Sequence, residues 1–214
     1  DDVGFLLSIT QSVKEGLLVD PDRFYLLGNS NGGSMVQRLG CDYPEHYAAV
    51  GIMLYQMPPG HACGPQETLP MFHYDDQLAA GVPPDGKPSP YGWVYTSAED
   101  NTRVWAEAMG CSSPAVSWQT ALAQEHDLEC EAYTDCQVEG AAVVSCGDPA
   151  AGHEWAAQRI DAIPADCVAP AQKQDLPRQP ICPAISPLKE RWGMELVWQF
   201  FSQYSRPPAL AIAR

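Results

Sequence analysis

The chain has 214 residues, of which 45% are hydrophobic and 18% charged. This length and composition suit one folded domain with a continuous core, so we expect a single domain over residues 1–214. Its 27 acidic and 12 basic residues give a formal net charge of −15. Such a balance offers no cationic surface for phosphates or an anionic bilayer, and neither nucleic acid nor a membrane is an expected partner.

Eight cysteines are many for a cytosolic protein of this size, and none has the C-x-x-C spacing of a zinc site. They are Cys41, Cys63, Cys111, Cys130, Cys136, Cys146, Cys167 and Cys182. We therefore expect disulfides and a secreted or periplasmic location. The chain begins with Asp1 and Asp2 and shows no signal peptide, which predicts a processed or truncated product.

The first quarter of the chain alternates helical and strand patterns. Apolar residues at helical spacing predict an amphipathic helix over residues 3–18. A short β-rich run at 23–27, broken by Gly28, predicts a strand. A second helix is predicted from residue 34 to 39, followed by a fully buried strand at 48–54.

The remaining segments continue the same alternation. Apolar runs at 69–73 and 141–146 predict two more buried strands, and residues 100–109 and 190–204 predict helices. The proline-rich stretch 164–187 is expected to be a surface loop. Helices that alternate with continuous apolar strands favour an α/β fold with a mostly parallel sheet of about four strands and helices on both faces.

The motif that carries chemistry is G-x-S-x-G at residues 28–32, between a predicted strand and a predicted helix. A serine hydroxyl becomes a useful nucleophile when a sharp turn exposes it to a base, so Ser30 is the candidate nucleophile. The glycines of the motif, Gly28 and Gly32, allow this sharp turn, because we expect a Cβ at either position to strike the neighbouring strand or helix. The helix N-terminus favours developing negative charge, and the Asn31 backbone N–H is the predicted oxyanion donor.

The expected order after such a serine is an acid and then a histidine. His153 lies after the last predicted strand and before the final helix, which makes it the candidate base. The other histidines lie in turns, in a polar stretch or in a buried strand: His46, His61, His73 and His126. The acid is expected after strand 69–73, where we prefer Asp76 because it lies farther beyond the strand end, with Asp75 as the alternative.

Together these motifs resemble those of the polyhydroxybutyrate depolymerase and feruloyl esterase family of secreted α/β-hydrolases. The resemblance covers roughly residues 1–155 and includes several segments besides the serine motif: 1–5, 19–25, 38–41, 48–50, 105–111 and 152–155. It implies that Ser30, Asp76 and His153 form a catalytic triad. It also implies two disulfides, Cys41–Cys63 and Cys111–Cys136.

The sequence departs from that family in one large respect. Family members carry several strands before the helix that opens this chain, including the loop with a second oxyanion donor. We therefore expect the strand at 23–27 to lie at an exposed sheet edge, which a homo-oligomer is one way to cover. Loss of one oxyanion donor typically lowers a rate ~10²–10³-fold.

The resemblance implies a serine ester hydrolase that acts through an acyl-enzyme on hydroxyalkanoate polyesters or oligomers, or on feruloyl-type aromatic esters. No metal or organic cofactor is needed for this chemistry. Asn29, Tyr74 and Trp155 are the candidate substrate-binding residues, with Trp93 and Tyr95 as further candidates for an aromatic pocket. Two alternatives stay open: a non-catalytic binding or structural remnant of such a hydrolase, and a serine peptidase.

Overall fold

The computed structural model describes residues 1–60, 69–149, 151, 153 and 192–206. Six strands form one sheet: β1 (Tyr25–Asn29), β2 (Ala49–Met53), β3 (Met71–Asp76), β4 (Val116–Ser117), β5 (Glu129–Tyr133) and β6 (Val143–Asp148). Five α-helices accompany them: α1 (Asp2–Gly16), α2 (Asn31–Asp42), α3 (Ala98–Ala108), α4 (Ala121–Glu125) and α5 (Trp192–Phe201). A single 3₁₀ turn, Pro44–His46, follows α2 in this part of the chain.

The sheet is mixed, with the strand order β1-β2-β3-β6-β5-β4. The first four strands in this order are mutually parallel, and they correspond to the four strands predicted from the sequence. β5 and β4 are antiparallel additions. The prediction of an α/β fold is confirmed, whereas the predicted count of about four strands is corrected to six among the described residues.

The two additional strands escaped the hydrophobic pattern for a physical reason. β5 alternates the exposed glutamates Glu129 and Glu131 with the buried residues Cys130 and Ala132, so it contains no continuous apolar run. β4 comprises only two residues, both exposed. Neither strand therefore has the continuous apolar sequence from which the fully buried parallel strands were predicted.

Hydrophobic residues cover both faces of the sheet. On one face, Phe72 and Val144 pack with Leu196 and Phe200 of α5. On the other face, side chains of α2 and α3 pack against β2 and β6, and the buried indole N–H of Trp105 donates a hydrogen bond to the Leu69 carbonyl at 2.7 Å. The helices therefore lie on both sides of the sheet, as the sequence predicts, and hold its central strands out of water.

β1 forms one end of the sheet, as expected for the strand that follows the first helix. Its inner edge pairs with β2, and Tyr25 stacks on Phe201 of α5 with ring centroids 4.8 Å apart. α1 begins at the cap residue Asp1, whose carboxylate accepts from the Gly4 N–H. Thr10 is the one buried residue of α1, so this helix lies at the periphery.

Two disulfides lie within the described residues. Cys111–Cys136 confirms one of the two pairs implied by the family resemblance. Cys130–Cys146 joins β5 to β6. Cys41 is also disulfide-bonded, but its implied partner Cys63 lies outside the described residues, as do Cys167 and Cys182. Among the helices described, none combines the length and hydropathy of a membrane span.

Candidate active site

The nucleophile candidate occupies a strained turn between a strand and a helix. β1 ends at Asn29, α2 begins at Asn31, and Ser30 between them has φ 52° and ψ −120°. A residue with a Cβ in such a conformation costs on the order of 1–3 kcal/mol and persists only where its surroundings hold it. Here the Ser30 N–H donates to the Met53 carbonyl at 2.8 Å, which fixes the turn on the end of β2.

The Ser30 hydroxyl does not cap the helix that follows it. Ser30 is the N-cap residue of α2, where a serine hydroxyl ordinarily accepts a hydrogen bond from the first turn. It makes no such bond. Instead, its Oγ lies 3.1 Å from Nε2 of His153, a residue 123 positions away in the chain. The fold therefore brings together the two groups that the sequence singled out as nucleophile and base.

Glycines shape this turn, although not at all the positions expected. A Cβ built on Gly28 would lie 2.2 Å from the carbonyl oxygen of Gly32, so residue 28 must be glycine. A Cβ on Gly33 would lie 3.0 Å from the Cβ of Tyr55, at the limit of real contacts. A Cβ on Gly32 would meet nothing within 4 Å, so the expectation of a clash at Gly32 is wrong.

His153 is half-buried, and burial lowers the pKa of its imidazole. A lowered pKa keeps the ring neutral at neutral pH, the state in which it can accept a proton. In the tautomer with the proton on Nδ1, the Ser30 hydroxyl donates to Nε2. Nδ1 is buried and has no hydrogen-bond partner among the described residues.

Backbone hydrogen bonds fasten the loop that carries His153. The Gln77 N–H donates to the Asp148 carbonyl at 2.9 Å, and the Leu78 N–H donates to the Ala151 carbonyl at 3.0 Å. The turn after β3 therefore holds the segment that leads from β6 to His153. β3 ends in the two candidate acids, and the residues that directly follow them, Gln77 and Leu78, hold the segment that leads to the base.

Both acid candidates lie inside β3, which corrects the expectation that they follow the strand. Asp75 and Asp76 are its last two residues, and both are buried. Successive strand residues point to opposite faces of a sheet, so the two carboxylates face different surroundings. Nothing in the described residues joins either carboxylate to His153 by a hydrogen bond.

Asp75 faces a cluster of like charges. Its Oδ2 accepts from Nε2 of Gln77 at 3.2 Å, and its Oδ1 lies 3.9 Å from Nδ1 of His73. Burial, followed by the negative charges of Asp76, Glu129 and Glu131, raises the pKa of Asp75 to about 7. Burial also lowers the pKa of His73 to about 4, so this neighbour is neutral and does not offset the acidic charges.

Asp76 points to the face that α5 covers, where its neighbour in register on β6 is Asp148. Asp148 is also buried, and its Oδ2 accepts a hydrogen bond from the Tyr74 hydroxyl at 3.0 Å. Asp148 was not among the residues predicted from the sequence. Its signal was available, because a carboxylate that follows directly on an apolar strand resembles Asp76 in its setting.

The other predicted residues have diverse positions. Tyr74 is 1% exposed within the core, so its ring has almost no surface for a substrate to contact, and the structure does not support the predicted binding role. Asn29 is the exposed last residue of β1. Asn31 is the first residue of α2, so its N–H has no acceptor within the helix. Trp155 lies outside the described residues, and Trp93 is largely exposed.

No group of three or more His, Cys, Asp or Glu side chains in the described part of the chain is arranged to hold a metal ion. The acidic residues near Asp75 therefore do not form a recognisable metal centre. What the described residues bring together is a serine hydroxyl and a neutral imidazole at the carboxyl ends of the parallel strands of the sheet. This pair can transfer a proton from a hydroxyl as that oxygen attacks an electrophile.

The chain is distantly similar to two curated proteins named as esterases, and no family model matches it. It is 26% identical over 167 residues to Feruloyl esterase B of Piromyces equi. This match covers 72% of this chain and 29% of the relative. It is 29% identical over 109 residues to Putative esterase NocK of Nocardia uniformis subsp. tsuyamanensis. This match covers 45% of this chain and 32% of the relative. The chain thus spans less than a third of the length of either protein.

Among solved structures, the chain is similar to a crystal structure of a thermostable esterase. The superposition has a TM-score of 0.36 at 17% sequence identity and covers 50% of this chain and 24% of that one.

The glycines at residues 28 and 32 offer a matched pair of substitutions. We expect Gly28→Ala to destabilise the protein by ~2 kcal/mol or more, because its Cβ overlaps backbone atoms that side-chain movement cannot clear. We expect Gly32→Ala to be within ~0.5 kcal/mol of the wild type or slightly more stable, because the new methyl group meets open space and alanine favours the helix. Urea unfolding of both variants measures the difference, and equal effects would contradict the turn geometry described above.

The raised pKa of Asp75 predicts a pH-dependent stability. The folded protein binds this proton more tightly than the unfolded chain, so its contribution is fully present below pH ~4 and is lost as pH rises through about 7. Asp75→Asn should therefore raise the free energy of unfolding at pH 8.5 by a few kcal/mol (roughly 2–4) more than at pH 5. Asp85→Asn is the control, because this exposed neighbour has a lowered pKa and is ionised at both values. The same change for both variants would contradict the burial of Asp75.

Proposed function

We propose that this chain is the catalytic part of a serine carboxylic ester hydrolase, with Ser30 as nucleophile and His153 as general base. The observation that carries the proposal is the 3.1 Å contact between Ser30 Oγ and His153 Nε2. The strained turn at Ser30 and its unused capping position add support, because both keep the hydroxyl available. The two similar proteins named as esterases point to the same reaction class.

The proposed reaction is a double displacement. Ser30 Oγ attacks the ester carbonyl carbon while its proton passes to His153 Nε2. The resulting imidazolium then gives this proton to the leaving alcohol oxygen as the C–O bond breaks, and an acyl-enzyme remains. A water molecule then attacks the acyl carbon as its proton passes to His153 Nε2. The bond between the acyl carbon and Ser30 Oγ breaks, the carboxylic acid leaves, and the imidazolium returns the proton to Ser30 Oγ.

For the acid we propose Asp76, with Asp75 as the alternative. A buried imidazole N–H without a partner costs on the order of 1–3 kcal/mol, so His153 Nδ1 calls for an acceptor, and a carboxylate also stabilises the imidazolium. Asp75 is the poorer candidate, because its raised pKa leaves it partly protonated near neutral pH and its carboxylate already contacts Gln77. Asp76 lies on the opposite face, away from Glu129 and Glu131.

The negative charge that develops on the carbonyl oxygen needs donors. We propose the Asn31 backbone N–H as one of them, because it begins α2 directly after the nucleophile and the helix N-terminus favours negative charge. We assign substrate contacts to Asn29, which is exposed beside Ser30, and keep Trp155 as a candidate from the sequence. As substrates we propose hydroxyalkanoate polyesters and oligomers or feruloyl-type aromatic esters.

A secreted location accompanies this proposal. Two disulfides within the described residues are compatible with an oxidising compartment, as is the similarity to a protein named feruloyl esterase. Polymeric esters and plant-derived aromatic esters are both substrates that an enzyme meets outside the cell.

Burst kinetics with p-nitrophenyl acetate test the nucleophile. We expect the wild type to release a stoichiometric burst of p-nitrophenol as Ser30 is acylated, and we expect Ser30→Ala to lower turnover ~10³-fold or more. Ser12→Ala is the matched control, because this exposed hydroxyl on α1 bonds only to the Ser8 carbonyl and should leave the burst unchanged. A burst that survives in Ser30→Ala would exclude Ser30, and a wild type without burst or turnover would favour the non-catalytic alternative.

The pH profile of kcat/KM tests the base. Because burial lowers the pKa of His153, the rate should fall on the acid side with a midpoint below the ordinary histidine value of ~6.5. The pKa of Asp75 is also near this range, so the profile is measured again for the Asp75→Asn variant. If His153 is the group that titrates, the midpoint of this variant should equal that of the wild type. A midpoint above 7, or one that disappears in Asp75→Asn, would contradict this assignment.

A further inference from the structure

A cavity of about 270 Å³ lies along α2, just beyond the nucleophile. One wall comes from α2 and includes Ser34, and the other comes from the segment after β2 and includes Tyr55, Met57 and Pro58. The Ser34 N–H donates to the Ser30 carbonyl at 3.2 Å, so Ser34 lies in the first turn of the helix that follows the nucleophile. A group bound covalently to Ser30 therefore has this cavity within its reach.

Tyr55 is held firmly at the end of the cavity nearest the nucleophile. The carbonyl of Met53, two residues earlier, accepts the Ser30 N–H, so the strand that leads to Tyr55 is fixed to the strained turn itself. The Cβ of Tyr55 also packs closely on α2, because a Cβ built on Gly33 would lie only 3.0 Å from it.

A second aromatic ring supports Tyr55. Tyr95 packs edge-on against it, with ring centroids 5.6 Å apart and planes at 78°. The loop that carries Tyr95 is fastened to the cavity wall, because both the N–H and the hydroxyl of Thr96 donate to the Met57 carbonyl, at 2.8 and 2.9 Å. The aromatic wall is therefore in place before any ligand arrives.

The far end of the cavity is polar. Arg38 and Asp42 form an ion pair there that is partly exposed to water. Gln37 is buried beneath them and donates to Oδ1 of Asn101 at 2.9 Å, and the Met57 N–H donates to the same oxygen at 2.9 Å. These bonds tie the two walls together, so the cavity has a fixed width, an aromatic inner end and a polar outer end.

We infer that this cavity binds the acyl group of the ester and that Tyr55 is a specificity-determining residue; the inference rests on the proposed function. His153 Nε2 must protonate the leaving alcohol, so the alcohol lies on the histidine side of Ser30. Among the described residues, those that line the cavity come instead from α2 and residues 55–58. Its volume lies just below the ~300–1,000 Å³ of complete ligand pockets, which suits one part of a substrate. An apolar acyl group with a polar end fits this lining.

The test varies the acyl group while the leaving group stays constant. Tyr55→Ala should lower kcat/KM about 10-fold for p-nitrophenyl 3-phenylpropanoate and by no more than about twofold for p-nitrophenyl acetate, because only the longer acyl group reaches the ring. Tyr55→Phe retains the ring and should preserve the wild-type preference. Tyr91→Ala, a change at a largely exposed tyrosine, is the matched control and should alter neither rate. An equal loss on both esters would overturn the assignment of Tyr55 to specificity.

A second series identifies the side of the ester. Ethyl acetate and 2-phenylethyl acetate differ only in the alcohol, and Tyr55→Ala should affect their hydrolysis equally. A selective loss on 2-phenylethyl acetate would show that the cavity binds the alcohol and would overturn the acyl assignment. The acetate rates also report whether the variant has kept an intact Ser30 and His153.

Binding measured without turnover separates this inference from the proposed function. Ser30→Ala protein is titrated with ethyl 3-phenylpropanoate by NMR, with and without Tyr55→Ala, and the second change should weaken binding about 10-fold. Failure of the wild type to hydrolyse any ester would refute the proposed function. The titration would still show whether the cavity binds the acyl group, because it does not depend on turnover. Unchanged binding in the double variant would overturn the subsite whatever the outcome of the kinetic experiments.

Discussion

The hydrogen bond between Ser30 Oγ and His153 Nε2 is the contact on which the organisation of this molecule depends. It connects the end of β1 with the loop after β6, and β2 and β3 lie between these strands. Because all four strands are parallel, their carboxyl ends meet at one edge of the sheet, where side chains distant in sequence converge. Both residues have a positive φ, so two strained backbone positions meet at the same place, and the one at Ser30 is held by its N–H bond to the Met53 carbonyl.

Burial gives the ionisable groups around this contact different properties. It lowers the pKa of His153, which favours the neutral ring that a general base requires. It raises the pKa of Asp75, and the acidic residues of β5 act in the same direction. The alternation of side chains along β3 puts Asp76 on the other face, in register with Asp148 on β6. A two-residue sequence, Asp75-Asp76, thereby supplies carboxylates in two separate environments.

The sequence predicted the elements whose signal is local or continuous. The serine motif defines its own strand, turn and helix, and β2, β3 and β6 each contain an apolar run, so these elements were recognisable. β5 was missed because its alternating glutamates conceal a half-buried strand. The burial of Tyr74 was not foreseen, because it depends on which side chains meet across a sheet face. Asp148 was recognisable in principle, since it follows an apolar strand as Asp76 does. Tyr55 carries no motif, and only its packing against α2 and Tyr95 distinguishes it from other tyrosines.

Covalent labelling tests the pairing of Ser30 with His153 most directly. A fluorophosphonate reacts with a serine only where a base activates the hydroxyl, and peptide mass spectrometry identifies the modified residue. We predict modification at Ser30, with a second-order rate constant that falls ~10²-fold or more in His153→Ala, because the general base is then absent. Modification of another serine, or an unchanged rate in His153→Ala, would contradict the pairing.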